Sequence, residues 1–279
     1  MPGTLFLVAT PIGNLEDVTA RAVRILGAVD LVAAEDTRRT GRLLQHLGIT
    51  KPLRSYYDAV EQARAPGLVR ELLAGKSVAL VSDAGTPGIA DPGYRLVRAA
   101  IAAGIVVVPI PGPSAIAAFL PVSGLPADRF VFEGFLPARR GERRRRLAAL
   151  AAERRTLVFY ESGRRLAGAL GDLAEIFGPR PAAIGRELTK LHEEIVRDDL
   201  VALAARYEGS AVRGEIVLAV GGAPQAAAPV VAEDLEDEIR RRRAAGETVR
   251  DLAEAIASAR GVNRRVVYRL ALALEHQRR

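Results

Sequence analysis

Hydrophobic positions along the chain fall into short unbroken runs, each followed by a turn rich in glycine, proline or polar residues and then by a segment with helical spacing. Thr4 to Ala9, Leu31 to Ala34, Val78 to Val81 and Ile105 to Val108 are such apolar runs, with the length and texture of strands buried on both faces. Between them, Val18 to Leu26, Val60 to Leu73 and Tyr94 to Ala103 have helical spacing, and Leu53 to Tyr57 reads as a short, weaker strand. Asp17 or Asn14 is placed to cap the first helix, and Asp36 or Thr37 the next. This alternation over about 120 residues predicts a parallel sheet.

Past Gly124-Leu125-Pro126 the pattern changes. Phe130 to Phe135, Leu157 to Tyr160, Ala182 to Gly185, Ile195 to Arg197 and Glu215 to Val220 read as strands of mixed direction. A loop and helix reaching Glu153 and a helix over Leu166 to Phe177 lie among them. Gly221 to Pro229 reads as a linker. Ala232 to Ala245, Thr248 to Ala259 and Asn263 to Glu275 have helical spacing. The expected organisation is an N-terminal α/β domain over 1–121, a second α/β domain over 122–225 and a small three-helix unit over 230–279. That last unit fits either a nucleic-acid reader or a packing module.

Composition narrows the chemistry. With 279 residues, 49% of them hydrophobic, the chain can bury a full core and is expected to be soluble and globular. Absence of cysteine excludes disulfides, thiolate catalysis and cysteine metal sites, and suits a reducing cytosol. Histidine occurs only at His46, His192 and His276, so no metal site is expected. Met1 to Thr10 lacks the features of a targeting segment. The long apolar tract Ile101 to Val122 contains Gly104, Pro109, Pro111, Gly112, Pro113 and Pro121, which exclude a membrane-spanning helix.

The formal net charge is +7, but of 40 basic residues three are lysines (Lys51, Lys76, Lys190), leaving 37 arginines. Such a bias often tracks genome base composition, so clustering says more than bulk charge. Arg139, Arg140 and Arg143 to Arg146 form one knot and Arg240 to Arg243 another. Either can bind phosphates or form a solvated helix face; for the second the solvated face is favoured. Six arginines within eight positions repel one another unless something anionic lies near, so Arg139, Arg140, Arg143 and Arg144 are candidate phosphate contacts, and Arg38 and Arg39 are set beside them. Tyr56 or Tyr57 can stack on an unpaired base or pack in the core.

The densest signal is Ser82-Asp83-Ala84-Gly85-Thr86-Pro87-Gly88-Ile89-Ala90-Asp91-Pro92-Gly93 after the Val78 to Val81 strand. Its glycines and prolines fix dihedrals and remove bulk, so a ligand can approach the main chain at the carboxyl end of a strand, where open α/β sheets bind ligands. Glu35-Asp36-Thr37-Arg38-Arg39-Thr40 follows another strand, and Pro111-Gly112-Pro113-Ser114-Ala115 follows a third; Ser114 is either a ligand contact or a helix cap. No G-x-x-x-x-G-K-[ST], G-x-G-x-x-G after the first strand or G-x-S-x-G is present.

Ala9-Thr10-Pro11-Ile12-Gly13-Asn14-Leu15, Ala34 to Arg38, Ser82 to Pro87, Asp91-Pro92-Gly93, Pro111 to Ala115 and Arg186-Glu187-Leu188-Thr189-Lys190 together resemble the tetrapyrrole-methylase-like family. More narrowly they are similar to its small-subunit ribosomal RNA (cytidine-2'-O)-methyltransferase branch. The resemblance covers roughly residues 4 to 220, and the three-helix tail is similar too. It implies two α/β domains with S-adenosylmethionine in the cleft between them, usually in a cytoplasmic homodimer. It also implies methylation of a cytidine 2'-oxygen in 16S ribosomal RNA of the small ribosomal subunit. The implied cofactor contacts are Pro11, Asp83, Thr86, Ile89, Ser114 and Ala115, with Tyr160, Arg186 and Glu215 from the second domain. Two departures stand out. Thr10 to Asp17 replaces the G-x-G-x-G-D loop of the tetrapyrrole enzymes, which argues against a porphyrinoid substrate. Glu161-Ser162-Gly163-Arg164-Arg165 replaces the Glu-Ser-Pro-His-Arg usual in the RNA branch.

Methyl transfer from a sulfonium needs alignment more than strong acid or base, and no metal. A ribose hydroxyl is a reluctant nucleophile, however, so a carboxylate or lysine is expected near it. Lys190, among Glu187, His192 and Glu193, is the leading candidate, with Glu187 or Glu161 as orienter or base; a surface salt bridge is the plainer reading of Lys190. The alternatives are a small-molecule methyltransferase of the tetrapyrrole kind and a catalytically inert RNA-binding relative.

Overall fold

A computed structural model of the chain describes residues 1–210, 212–224, 232–260 and 262–276. Residues Met1–Ala223 form one compact unit and Pro224–Arg279 a second.

The first half builds β1 (Thr4–Val8), α1 (Ala20–Ala28), β2 (Leu31–Ala34), α2 (Thr37–His46), β3 (Leu53–Ser55), α3 (Asp58–Leu73), β4 (Val78–Val81), α4 (Tyr94–Ala102) and β5 (Val106–Ile110). All five strands are parallel, in the order β3-β2-β4-β1-β5. The apolar runs make this possible because helices cover both faces. Val8, Val32, Ala34, Ala79 and Val81 pack on α1 and α2 through Ile25, Leu26 and Leu44. Leu5, Leu31, Ala33, Val78 and Leu80 pack on α3 and α4 through Leu68, Leu72, Leu96 and Ala100. Each large side chain buried in this way contributes about 1.5–3 kcal/mol. Neighbouring strands β1 and β4 send their next helices to opposite faces, leaving a crevice between their carboxyl ends where such sheets bind ligands.

One helix start differs from expectation and the next follows it. Leu15–Asp17 closes a 3₁₀ turn capped by Asn14, whose side chain accepts from the Glu16 amide at 3.0 Å, so α1 begins later and its cap is Thr19, accepting from Ala22 at 3.1 Å. Asp36 caps α2, accepting from the Arg38 amide at 2.8 Å.

The apolar tract 101–122 divides between β5 and α5 (Ala115–Ser123), and among the described residues no helix is long and apolar enough to cross a membrane. There follow β6 (Phe130–Phe135), α6 (Arg140–Leu150), β7 (Thr156–Ser162), α7 (Gly163–Phe177), β8 (Pro181–Arg186), β9 (Glu194–Asp199), α8 (Leu200–Tyr207) and β10 (Glu215–Val220). Their sheet has the order β6-β7-β10-β8-β9, parallel only between β6 and β7. One face packs on α6, α7 and α8 through Leu147, Leu166, Leu170 and Leu203. The other carries Val158, Ala183, Val217 and Ala219 against Ile116, Phe119 and Leu120 of α5 and Ile12 of the first loop. That second core joins the two sheets.

In the second unit α9 (Ala232–Ala244), α10 (Val249–Arg260) and α11 (Arg264–His276) close on Leu235, Ile239, Leu252, Ile256 and Val267. Arg240 pairs with Glu236 and Asp237, and Arg242 with Glu238, on their own helix, so this arginine knot forms a solvated face. Of the expected linker, residues 225–229 lie outside the described residues.

Candidate active site

Three loops meet at the carboxyl ends of β1, β4 and β5. Thr10 and Gly85 exchange amide hydrogen bonds at 2.9 and 3.0 Å in an isolated antiparallel bridge, and Thr10 Oγ1 donates to the Ser82 carbonyl at 3.2 Å. Gly85 makes this bridge at φ +81°, a conformation costly for residues with a Cβ. Thr86 Oγ1 ties the same loop to the proline loop, donating to the Pro113 carbonyl at 3.3 Å. From the second sheet comes the turn after β8, where Glu187 (φ 49°) and Thr189 (φ 65°) are left-handed without being glycine, strain of the kind that gathers at functional sites. Gly13 rests directly on that turn. A Cβ there would stand 2.4 Å from Lys190 Cγ and 2.9 Å from the Leu188 carbonyl.

The loops and the second sheet enclose a cleft of about 380 Å³, within the range of small-ligand sites. Glu35, Arg39, Asp83, Ala84, Gly85, Thr86, Ile89, Ala90 and Asp91 line one side. Ile12, Ser114 and Ala115 form the floor, and Phe135, Tyr160, Glu161, Ser162, Leu188 and Glu215 to Val217 line the other side. The rings of Phe135 and Tyr160 stand 5.6 Å apart, and Phe135 is 57% exposed.

Carboxylates dominate the electrostatics. The Asp83 amide donates to Glu35 Oε2 at 3.2 Å while Asp83 Oδ1 accepts from the Asp36 amide at 2.9 Å, and Arg39 pairs with Asp83 at 3.4 Å. Burial, with the charges of Glu35 and Asp83 nearby, pushes the Asp91 carboxyl up to about 7. Burial also raises Glu35. Glu161 is 2% exposed and likewise raised by burial, although the Ser162 amide donates to its Oε1 at 2.8 Å. Its other oxygen, Oε2, has no hydrogen-bond partner.

Of the residues expected at the site, Asp83, Thr86, Ile89, Ser114, Ala115, Tyr160, Glu161 and Glu215 meet in this cleft. Pro11, Arg186, Glu187 and Lys190 stand outside its lining. Lys190 Nζ bridges Glu187 at 2.8 Å and the cleft residue Glu215 at 3.0 Å. Burial works to lower the Lys190 pKa, but the two carboxylates outweigh it and hold the amine as a cation. Arg186 pairs instead with Glu194. Ser114 makes no side-chain cap bond, which leaves its hydroxyl to the cleft. Glu35 and Asp91 also line the cleft, from two of the loops that the sequence marks as ligand loops, whereas Phe135 carries no such signal in the sequence.

The RNA candidates divide. Arg38 and Arg39 are both exposed; Arg39 lines the cleft and pairs with Asp83, and Arg38 pairs with Asp36. Among the described residues, five of the six arginines of the first knot have their anions within the protein, Arg145 being the exception. Arg143 is buried, 2.6 Å from the buried Asp172, so it is corrected from a phosphate contact to a core ion pair. Arg140 and Arg144 also reach Asp172, and Arg144 pairs with Glu175; Arg139 pairs with Glu142 at 3.3 Å. Tyr56 is buried and hydrogen-bonds Glu61 at 3.1 Å, which makes it a packing residue.

The model for tetrapyrrole (corrin/porphyrin) methylases matches residues 4–204. Over 98% of this chain and 99% of the relative, the sequence is 47% identical to ribosomal RNA small subunit methyltransferase I of Synechocystis sp.. Among solved structures, uroporphyrin-III-C-methyltransferase from Thermus thermophilus is 25% identical with a TM-score of 0.56, covering 78% of this chain and 94% of that one. A structure of the same enzyme complexed with S-adenyl homocysteine is 21% identical with a TM-score of 0.56, covering 78% and 97%. In sequence and in fold alike, the chain belongs to the tetrapyrrole (corrin/porphyrin) methylase family.

Proposed function

We propose that the chain is an S-adenosylmethionine-dependent methyltransferase that methylates the 2'-oxygen of a cytidine in 16S ribosomal RNA of the small subunit. The observation that carries the reading is the near full-length identity to ribosomal RNA small subunit methyltransferase I, together with a cleft suited to both partners. The Ser114 hydroxyl, which makes no cap bond, belongs to a cleft also lined by Glu35, Asp83 and Asp91, which fits a cationic ligand rich in donors. The Ala84 to Thr86 backbone and the apolar Ile12, Ile89 and Ala115 would hold its nucleoside.

Bound S-adenosylmethionine supplies a methyl carbon already activated by positive sulfur. The protein therefore contributes alignment and a proton acceptor. Glu161 would take up the hydroxyl proton released when the methyl carbon leaves sulfur for the ribose oxygen. Lys190 and Glu187 position Glu215, with Lys190 as a fixed cation. Phe135 offers an exposed ring at the cleft mouth on which the cytosine can stack, and Arg38 and Arg39 meet phosphates at the rim.

The chain works as a cytosolic homodimer in this reading. Tyr94 and Ile101 of α4 and Val106 of the edge strand β5 are exposed apolar residues that a second copy would cover.

Labelled methyl transfer to small subunits from cells lacking the enzyme, followed by mass-spectrometric mapping, tests the activity. A single cytidine 2'-O-methyl supports it. Transfer to a porphyrinoid instead would restore the tetrapyrrole alternative, and no transfer would leave an inert RNA-binding relative. Sedimentation of the purified chain at half the expected dimer mass would remove the homodimer.

A further inference from the structure

Beside the cleft lies a second, shallow depression with a different character. Arg186, Glu194, Arg206, Tyr207, Ser210 and Arg213 line it. Glu194 is the one carboxylate among these, and it is shared: Oε2 lies 3.1 Å from Arg186 Nε and Oε1 lies 3.4 Å from an Arg206 nitrogen. Arg206 also sits over the Tyr207 ring at 5.9 Å, which restrains its guanidinium. Arg213 is exposed and has no ion pair or hydrogen bond among the described residues. Three guanidiniums against one carboxylate leave an excess of two positive charges. In the first arginine knot, by contrast, Arg139, Arg140, Arg143, Arg144 and Arg146 are each met by an acid of the protein, and Arg145 is the exposed exception.

The position of the depression gives that excess a meaning. Arg213 is two residues from Glu215, and Arg186 two from Leu188, both of which line the cleft. Two residues span at most about 7 Å, so a strand whose nucleotide enters the cleft brings a neighbouring phosphate within reach of these arginines. Guanidinium forks match phosphate oxygens in a planar, bidentate way.

We infer that this depression is a phosphate subsite, holding the RNA backbone next to the nucleotide that is methylated. It rests on the RNA reading above, and it acts by fixing register, since phosphate contacts position a strand without reading its sequence. The test uses the full chain and a small-subunit ribosomal RNA fragment in filter binding across a salt series. Arg213→Glu is expected to weaken binding about tenfold and to reduce the salt slope by about one, whereas Arg213→Lys keeps the slope and loses only part of the affinity. Calorimetry with S-adenosylmethionine should be unchanged in both variants, showing an intact fold. An Arg213→Glu slope equal to wild type overturns the subsite. So does equal weakening toward polyglutamate of matched charge, which would make the depression a general polyanion surface. Binding and methyl transfer are read separately: a wild-type chain that binds the fragment yet transfers no methyl sinks the catalytic reading alone.

Discussion

Arg165 and Glu161 face each other across the first turn of α7, with Arg165 Nε 3.1 Å from Glu161 Oε1. The contact is ionic without hydrogen-bond alignment, since neither Arg165 Nε nor Glu161 Oε2 has a hydrogen-bond partner. Glu161 is thus held at one oxygen, by Arg165 and the Ser162 amide, while its other oxygen remains unsatisfied on a residue that lines the cleft. Leaving a buried acceptor unsatisfied costs about 1–3 kcal/mol, a cost that a donor arriving with substrate would remove.

Glu161→Gln keeps the shape and removes the basicity. Methyl transfer should fall about a hundredfold or more, with S-adenosylmethionine affinity changing less than about threefold. Single-turnover transfer and calorimetry separate the two. A variant that transfers at the wild-type rate would show that the proton leaves by another route.

Asp91 predicts a pH signature. Its carboxyl sits at about 7, raised first by burial and then by Glu35. Between about pH 4 and 7 the folded state holds a proton that the unfolded chain has released, so this group makes the ligand-free protein less stable as pH rises through that window. A cationic ligand favours the ionised form, so S-adenosylmethionine should bind about tenfold more tightly at pH 8 than at pH 6 and release a proton on binding. Calorimetry in two buffers of different ionisation enthalpy measures that release. Asp91→Asn should abolish it, and a release that persists would place the titrating group elsewhere.

What could be read from the sequence follows the range of the interactions. β1, β2 and β4 are unbroken apolar runs because both their faces are covered, and the glycine- and proline-bearing loops behind them are local features that concentrate most of the cofactor candidates in one cleft. Arg143 was misread because its partner Asp172 is 29 residues away on another helix, and nothing in the run from Arg143 to Arg146 reveals which arginine points inward. Phe135 looked like any strand residue until its register against Tyr160 brought it to the cleft mouth. Lys190 drew notice as a rare lysine, yet its two carboxylates come from separate elements, and only their meeting shows that the amine is a fixed cation.

Gly13→Ala tests how closely the first loop must approach the turn after β8. The added Cβ would meet Lys190 Cγ at 2.4 Å, which a side chain can yield, and the Leu188 carbonyl at 2.9 Å, which is backbone. The loop or the turn must shift, at about 1–3 kcal/mol. The floor of the cleft moves with it, so S-adenosylmethionine affinity should drop together with the melting temperature. A variant stable and tight-binding at wild-type levels would mean that the turn has slack.

Asp172 tests whether the first arginine knot serves the fold. Its side chain is 2% exposed and faces Arg143, itself 9% exposed at the side chain, at 2.6 Å. Burial pushes the Asp172 carboxyl up, but Arg143 and Arg140 outweigh it and hold the group below its ordinary range. Its stabilisation is therefore present above about pH 4 and lost as pH falls further. Asp172→Ala strands a guanidinium that cannot shed its proton, a loss of about 3–5 kcal/mol and roughly 10 °C in melting temperature. Pairing it with Arg143→Met should recover most of that loss, because replacing both members of a buried pair with apolar groups leaves no uncompensated charge. RNA affinity of the double variant should match wild type. A double variant that regains stability yet binds RNA more weakly would return Arg143 to the RNA surface.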